Sequence, residues 1–140
     1  MKNKAPLALM EQLIMLLVFA LAATLCLQVF VLSSQMSRRC DDINQAETRI
    51  QNAAEVLKAS QGDFSRCEAI LGGTAEENRW QISYDAKWNE TSTEQAAYQL
   101  VIVPLPSGLP LLGSAQICAT NQSGDILSAI TVSWQEVLDE

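Results

Sequence analysis

Histidine is absent from these 140 residues. Its absence removes the commonest general base and the commonest zinc ligand. The four cysteines, Cys26, Cys40, Cys67 and Cys118, are too far apart for a metal-ligand pattern or a Cys-x-x-Cys redox pair. No glycine-rich phosphate loop follows a predicted strand. Positive charge is scarce as well. From Asp41 onward there are five basic and fifteen acidic residues, a net of −10, the wrong sign for a nucleic-acid surface. Scattered carboxylates remain, and the adjacent pair Glu76-Glu77 reads as a solvated loop. The pattern is that of a non-enzyme, with no cofactor and no metal expected.

Glycine and proline are missing from one long stretch, since neither occurs between Pro6 and Gly62. Within it, "LALMEQLIMLLVFALAATLCLQVFVL" (Leu7 to Leu32) is almost wholly apolar. From Leu13 to Leu32 it is interrupted only by Thr24 and Gln28. Twenty helical residues rise roughly 30 Å, the thickness of a bilayer hydrocarbon core. A buried soluble helix of that length would show a polar face, and this one shows none, so a transmembrane helix over residues 7–32 is expected. A cleaved secretory signal is the competing reading. "ALA" at Ala20 to Ala22 imitates a cleavage site, yet the apolar run continues for ten residues beyond it. Positive charges flank both ends (Lys2 and Lys4 before, Arg38 and Arg39 after), so counting them orients the span little. A short basic segment followed by a large folded tail is the usual form of an inside-to-outside anchor. The expected location is therefore a single-pass cell-membrane protein with its carboxy-terminal domain outside the cytoplasm.

Beyond the span, Ile43, Ala46, Ile50, Ala53 and Leu57 recur at spacings of three and four, with Asp42, Glu47, Arg49, Glu55 and Lys58 on the other faces. This predicts an amphipathic continuation over residues 33–61, giving one helix roughly 80 Å long. Two helices broken near Ser33-Ser34 are the alternative. Gly62 reads as the helix stop, and Asp63 as the cap of a short second helix within residues 62–73. That helix is expected to bury Phe64, Cys67, Ile70 and Leu71. From Arg79 the period changes to two. "WQISYDAKW" alternates Trp80, Ile82, Tyr84, Ala86 and Trp88 against polar residues. "AAYQLVIVP" reads as a second strand ended by Pro104, "SAQICAT" as a third and "ILSAITVSW" as a fourth. Short connections imply an antiparallel meander over residues 79–140, whose apolar face needs the amphipathic helix as its cover. The expected fold is α+β, a long amino-terminal helix packed on a four-stranded antiparallel sheet. Trp80, Trp88, Trp134, Tyr84 and Tyr98 are expected to fill that core.

These residues reach a family. A short basic leader (residues 1–6), an apolar helix with a glutamate five residues in, an amphipathic extension and an antiparallel sheet together resemble the type IV pilins and pseudopilins. Counting Leu7 as the first mature residue puts Glu11 of "LALME" in the fifth place, where that family has its glutamate. The resemblance implies that Glu11 neutralises the free amine of a neighbouring subunit and sets the register of assembly. It implies processing at the junction of Pro6 and Leu7. It also implies other pilin-like subunits, pilus or secretion assembly proteins and membrane lipid as partners. The sequence departs from the pattern in three places. Pro6 stands where the processing peptidase expects glycine, Leu7 replaces an aromatic first residue, and the helix-kinking proline of the span is missing. An uncut chain would offer Lys4 or Lys2 as the cation for Glu11 instead.

Two functions follow as expectations. One is a structural or minor subunit of a type IV pilus or a secretion-type pseudopilus. The other is a membrane-anchored accessory or binding module that does not polymerise. Cys67 and Cys118 are candidates for a bridge between the short helix and the sheet, with two buried free thiols as the alternative. "NET" at Asn89 and "NQS" at Asn121 match the glycosylation acceptor pattern.

Overall fold

Nothing between Leu7 and Gln61 interrupts a helix, and the computed structural model, which describes residues 4–137, is helical over α1 (Ala5–Ala59) without a break at Ser33-Ser34. The helix starts earlier than expected. Pro6 lies inside its first turn, where a missing N–H costs nothing, and Ala8 donates to the Lys4 carbonyl at 3.1 Å. The chain divides into two compact units, one reaching to Cys40 and the other starting at Asp41.

In the first unit every residue from Leu7 to Leu32 is exposed. Its apolar window is 0 % buried among the described residues. By length and composition it can cross a membrane.

The second unit begins with the amphipathic part of α1, which buries Ala46, Ile50, Ala53, Ala54 and Leu57. Ile43, the first residue of the expected stripe, is half-buried. The stop comes where predicted. Gln61 and Gly62 take left-handed backbone (φ 54 and 81), and the Gly62 N–H returns to the Leu57 carbonyl at 3.0 Å. Asp63 then caps α2 (Phe64–Leu71), its Oδ1 accepting from the Ser65 and Arg66 N–H groups at 3.0 and 3.4 Å. Of the four α2 residues expected to be buried, Cys67 is buried, Phe64 and Leu71 are half-buried, and Ile70 is 62 % exposed. A helix of two turns shows the core one narrow stripe, and Ile70 falls beside it.

The sheet has five strands, not four: β1 (Thr74–Glu76), β2 (Arg79–Tyr84), β3 (Tyr98–Leu105), β4 (Leu112–Asn121) and β5 (Ile126–Gln135). Their order is β1-β2-β3-β4-β5 with every pair antiparallel, which is the expected meander. The added strand is three residues long, too short to show a period of two. It turns into β2 at Glu77-Asn78, so Glu76 belongs to a strand edge and not to a loop.

Two strand boundaries also differ. The β2 pattern stops at Tyr84 because Asp85 closes a turn, its Oδ1 accepting from the Lys87 and Asn89 N–H groups at 2.8 and 3.0 Å. Ala86 is exposed there, while Trp88 returns to the core from a left-handed backbone (φ 62). Pro104 does not end β3. It pairs with Ala115 on the β4 side, while the β2 pairing stops at Ile102, so its missing N–H interrupts no ladder on the open side.

Trp80, Ile82, Leu100, Ile102, Ala115, Ile117, Ala119 and Val132 meet the α1 stripe in one cluster. Trp134 packs at its margin over two glycines, Gly62 at the helix end and its cross-strand partner Gly113. A Cβ at Gly113 would overlap the indole. Gly113→Ala is therefore expected to destabilise this unit by about 1–3 kcal/mol. Each kcal/mol corresponds to a fall of about 4–8 °C in Tm for a unit of this size. Thermal melts followed by tryptophan fluorescence check it, with Gly124→Ala, where a Cβ meets nothing within 4 Å, separating steric overlap from backbone strain.

Candidate functional site

The candidate surface is the bare part of α1. Glu11 is exposed on it, one turn beyond the helical junction of Pro6 and Leu7. Lys4 is exposed at the helix start, and Lys2 lies outside the described residues. Among the described residues, the one hydrogen-bonded side chain of the span is Thr24, whose hydroxyl donates to the Ala20 carbonyl at 2.8 Å. Helical geometry thus leaves a carboxylate and a continuous apolar surface without a covering partner in the described residues.

In the second unit, no group of three or more His, Cys, Asp or Glu side chains that could hold a metal exists among the described residues. A cleft of about 590 Å³ lies among Asp63, Glu76, Glu77, Asn78, Pro104 and Trp134. Asp63 is already engaged as a helix cap, and Glu76 and Glu77 are exposed, so the cleft offers carboxylates without a paired nucleophile and base.

The aromatic residues do build the core. Trp80 is fully buried, Trp88 and Tyr84 nearly so, and Tyr98 and Trp134 pack against them. Trp88 stacks on Tyr98 with ring centres 4.1 Å apart and planes at 9°. Arg49, expected on the solvated side of the helix, is half-buried in this cluster. Its Nη2 donates to the Trp88 carbonyl at 3.0 Å and its guanidinium lies 5.3 Å from the Tyr84 ring centre. The signal for it was position, since residue 49 borders the buried stripe at Ile50. Burial pushes the Tyr84 hydroxyl up, with Arg49 opposing and Glu90 reinforcing that shift.

Of the two alternatives for Cys67 and Cys118, the structure has free thiols, Cys67 buried and Cys118 half-buried. Sheet alternation explains it. Ile117 and Ala119 face the core that holds Cys67, which puts Cys118 on the opposite face of β4. Burial pushes both thiols up, which disfavours the reactive thiolate at each. The outer face around Cys118 carries Gln99, Val101, Gln116, Thr120, Ala129, Thr131 and Ser133, with no formal charge among them. Of the two acceptor-type asparagines, Asn121 uses its Oδ1 to bind the Ser123 and Asp125 N–H groups at 3.0 and 2.9 Å, a turn-forming role. Asn89 is exposed.

No family model matches this chain, and neither a curated protein nor a solved structure does.

Proposed function

We propose that this chain is a pilin-like subunit of a type IV pilus or a secretion-type pseudopilus. It is held by one membrane span, with the domain from Asp41 outside the cytoplasm, and it joins neighbouring subunits through α1. The observation that carries this reading is a single helix serving two purposes. Residues 7–32 are exposed along their whole length with Glu11 near the start, while Ala46 to Leu57 cover a sheet. A helix that only anchored the domain would have no use for a carboxylate displaced into its apolar run, because a charge there is costly unless it is paired or near the interface.

One observation favours the second reading, a membrane-anchored module that does not polymerise. Pro6, inside the first turn of α1, stands where the processing peptidase of that family expects glycine. The two readings separate on two measurements, the mass of the protein extracted from membranes and its presence in sheared filaments. Loss of the first six residues supports the pilin-like subunit, whereas an intact chain that never enters a filament supports the anchored module.

Topology is tested independently. In intact cells, with Cys26, Cys40 and Cys118 changed to serine, a membrane-impermeant thiol reagent is expected to label Asn89→Cys and to leave Asn3→Cys unlabelled. The opposite pattern would put the domain in the cytoplasm and remove the pilin-like reading.

A further inference from the structure

The span carries a second polar feature, remote from Glu11. Thr24, Leu27, Gln28, Val31, Leu32 and Gln35 line one groove along the surface of α1. Gln28 lies four residues inside the end of the apolar run, and Gln35 lies just beyond it. Thr24 is satisfied by its own helix, but neither glutamine side chain hydrogen-bonds another of the described residues. A carboxamide facing lipid without a partner is expensive, because hydrocarbon offers it neither donor nor acceptor.

Two facts identify what relieves it. The glutamines are seven residues apart, so they hold the same place in a repeat that runs upstream through Leu21 and Ile14 and alternates with Leu17, Thr24 and Val31. A seven-residue repeat faces a partner helix along a left-handed seam. A primary amide also carries donors and an acceptor together, so it is complementary to itself. A copy inserted by the same route has the same orientation and depth, which brings Gln28 to Gln28 and Gln35 to Gln35. A slip of one helical turn would lose both pairs at once. No charged residue occurs between Glu11 and Arg38, so two such helices meet no repulsion along the seam inside the membrane.

We propose that α1 pairs in the membrane with α1 of a second copy of this chain, parallel and in register, through Gln28 and Gln35. The pairing rests on reading residues 13–32 as a span. It is separate from the role of Glu11, whose contact with an amine at Leu7 needs a shift of about one turn and so a different neighbour. The seam also places the native thiols. Cys26 and Cys40 fall fourteen residues apart, both on the side of the helix away from Gln28, so they do not meet in the pair.

The test uses the full chain, alone in phosphatidylcholine vesicles, with Cys26 and Cys40 changed to serine. Val31→Cys in this background is expected to form a disulfide-linked dimer under mild copper-catalysed oxidation. Neither the background itself nor the background with Cys26 restored should do so. Adding Gln28→Leu to Val31→Cys is expected to lower the dimer about three- to thirty-fold, the range for interhelical hydrogen bonds in membranes, while Gln28→Asn retains most of it. Leucine is favourable in a span, so a loss of dimer is not a loss of insertion. Equal crosslinking through Cys26 and Val31→Cys, or an unchanged yield in Gln28→Leu, would overturn the pairing. Alkaline extraction of the same vesicles separates the two levels. A chain that stays embedded but fails to crosslink refutes only the pair, whereas a chain released by alkali refutes the span as well.

Discussion

Leu57→Asp is expected to abolish the cooperative unfolding of the unit that begins at Asp41. Leu57 is fully buried at the centre of the cluster shared by α1 and the sheet, beside Ile50, Trp80 and Ile82. Removing the side chain alone, as in Leu57→Ala, costs about 2–5 kcal/mol. The carboxylate adds the penalty of a buried polar group with no partner, a further few kcal/mol, either as an unpaired charge or as a neutralised acid. Domains of this kind are stable by only about 5–15 kcal/mol, so the sum is comparable with the whole. Ile50→Asp is expected to behave alike, and Glu55→Asp, on the exposed side of the same helix, to change nothing measurable. All three tryptophans lie beyond Asp41, so their fluorescence in detergent-solubilised full-length chain reports this unit alone. A native-like melt in both buried variants would mean that α1 is not the cover of the sheet.

The second large effect is on assembly. Glu11→Gln is expected to insert into membranes at the level of the parent, since a neutral amide is no harder to bury than a carboxylate. Crosslinking to partner subunits, normalised to the inserted protein, is expected to fall about ten- to a hundred-fold, the worth of a charge-assisted hydrogen bond of about 1.5–3 kcal/mol. Glu11→Lys should do worse, because it sets a cation against the cation a neighbour is expected to present. A carboxylate restored one turn along, as Met15→Glu in the Glu11→Gln background, should not rescue assembly, because it attracts at a shifted register. Crosslinking by Glu11→Gln equal to the parent would make the carboxylate a marker of the membrane boundary and nothing more.

Much of the architecture was legible because it depends on local rules. The helix from Pro6 to the Gln61-Gly62 stop follows from missing breakers and a glycine able to take left-handed backbone. The Asp63 cap follows from a short side chain that reaches the next free N–H groups, and the meander from alternation and short connections. The places where the reading failed are places where neighbours decide. A three-residue β1 has no period to detect, and it exists because β2 offers it an edge. Pro104 reads as a strand terminator, yet its position opposite Ala115 alone makes it harmless. Trp88 looked like the next residue of a strand, and reaches the core only because Asp85 closes a turn beneath it.

The candidate site divides along the same line. Residue order determined the apolar span and the place of Glu11, and it also contains the seven-residue spacing of Gln28 and Gln35, since hydrophobicity and helical period are properties of the residues in order. Tertiary structure decided which half-polar positions were drawn inside and which thiols could meet. Arg49 is half-buried because its neighbour Ile50 carries it to the edge of the core, where its Nη2 donates to the Trp88 carbonyl and its guanidinium lies over the Tyr84 ring, while its Nε has no partner among the described residues. Cys67 and Cys118 are kept apart by the one-residue alternation of β4, since a side chain next to Ile117 must point to the opposite face. Spacing along the chain limits what can be near, but which face of a sheet meets which helix is settled only when the apolar surfaces close on one another.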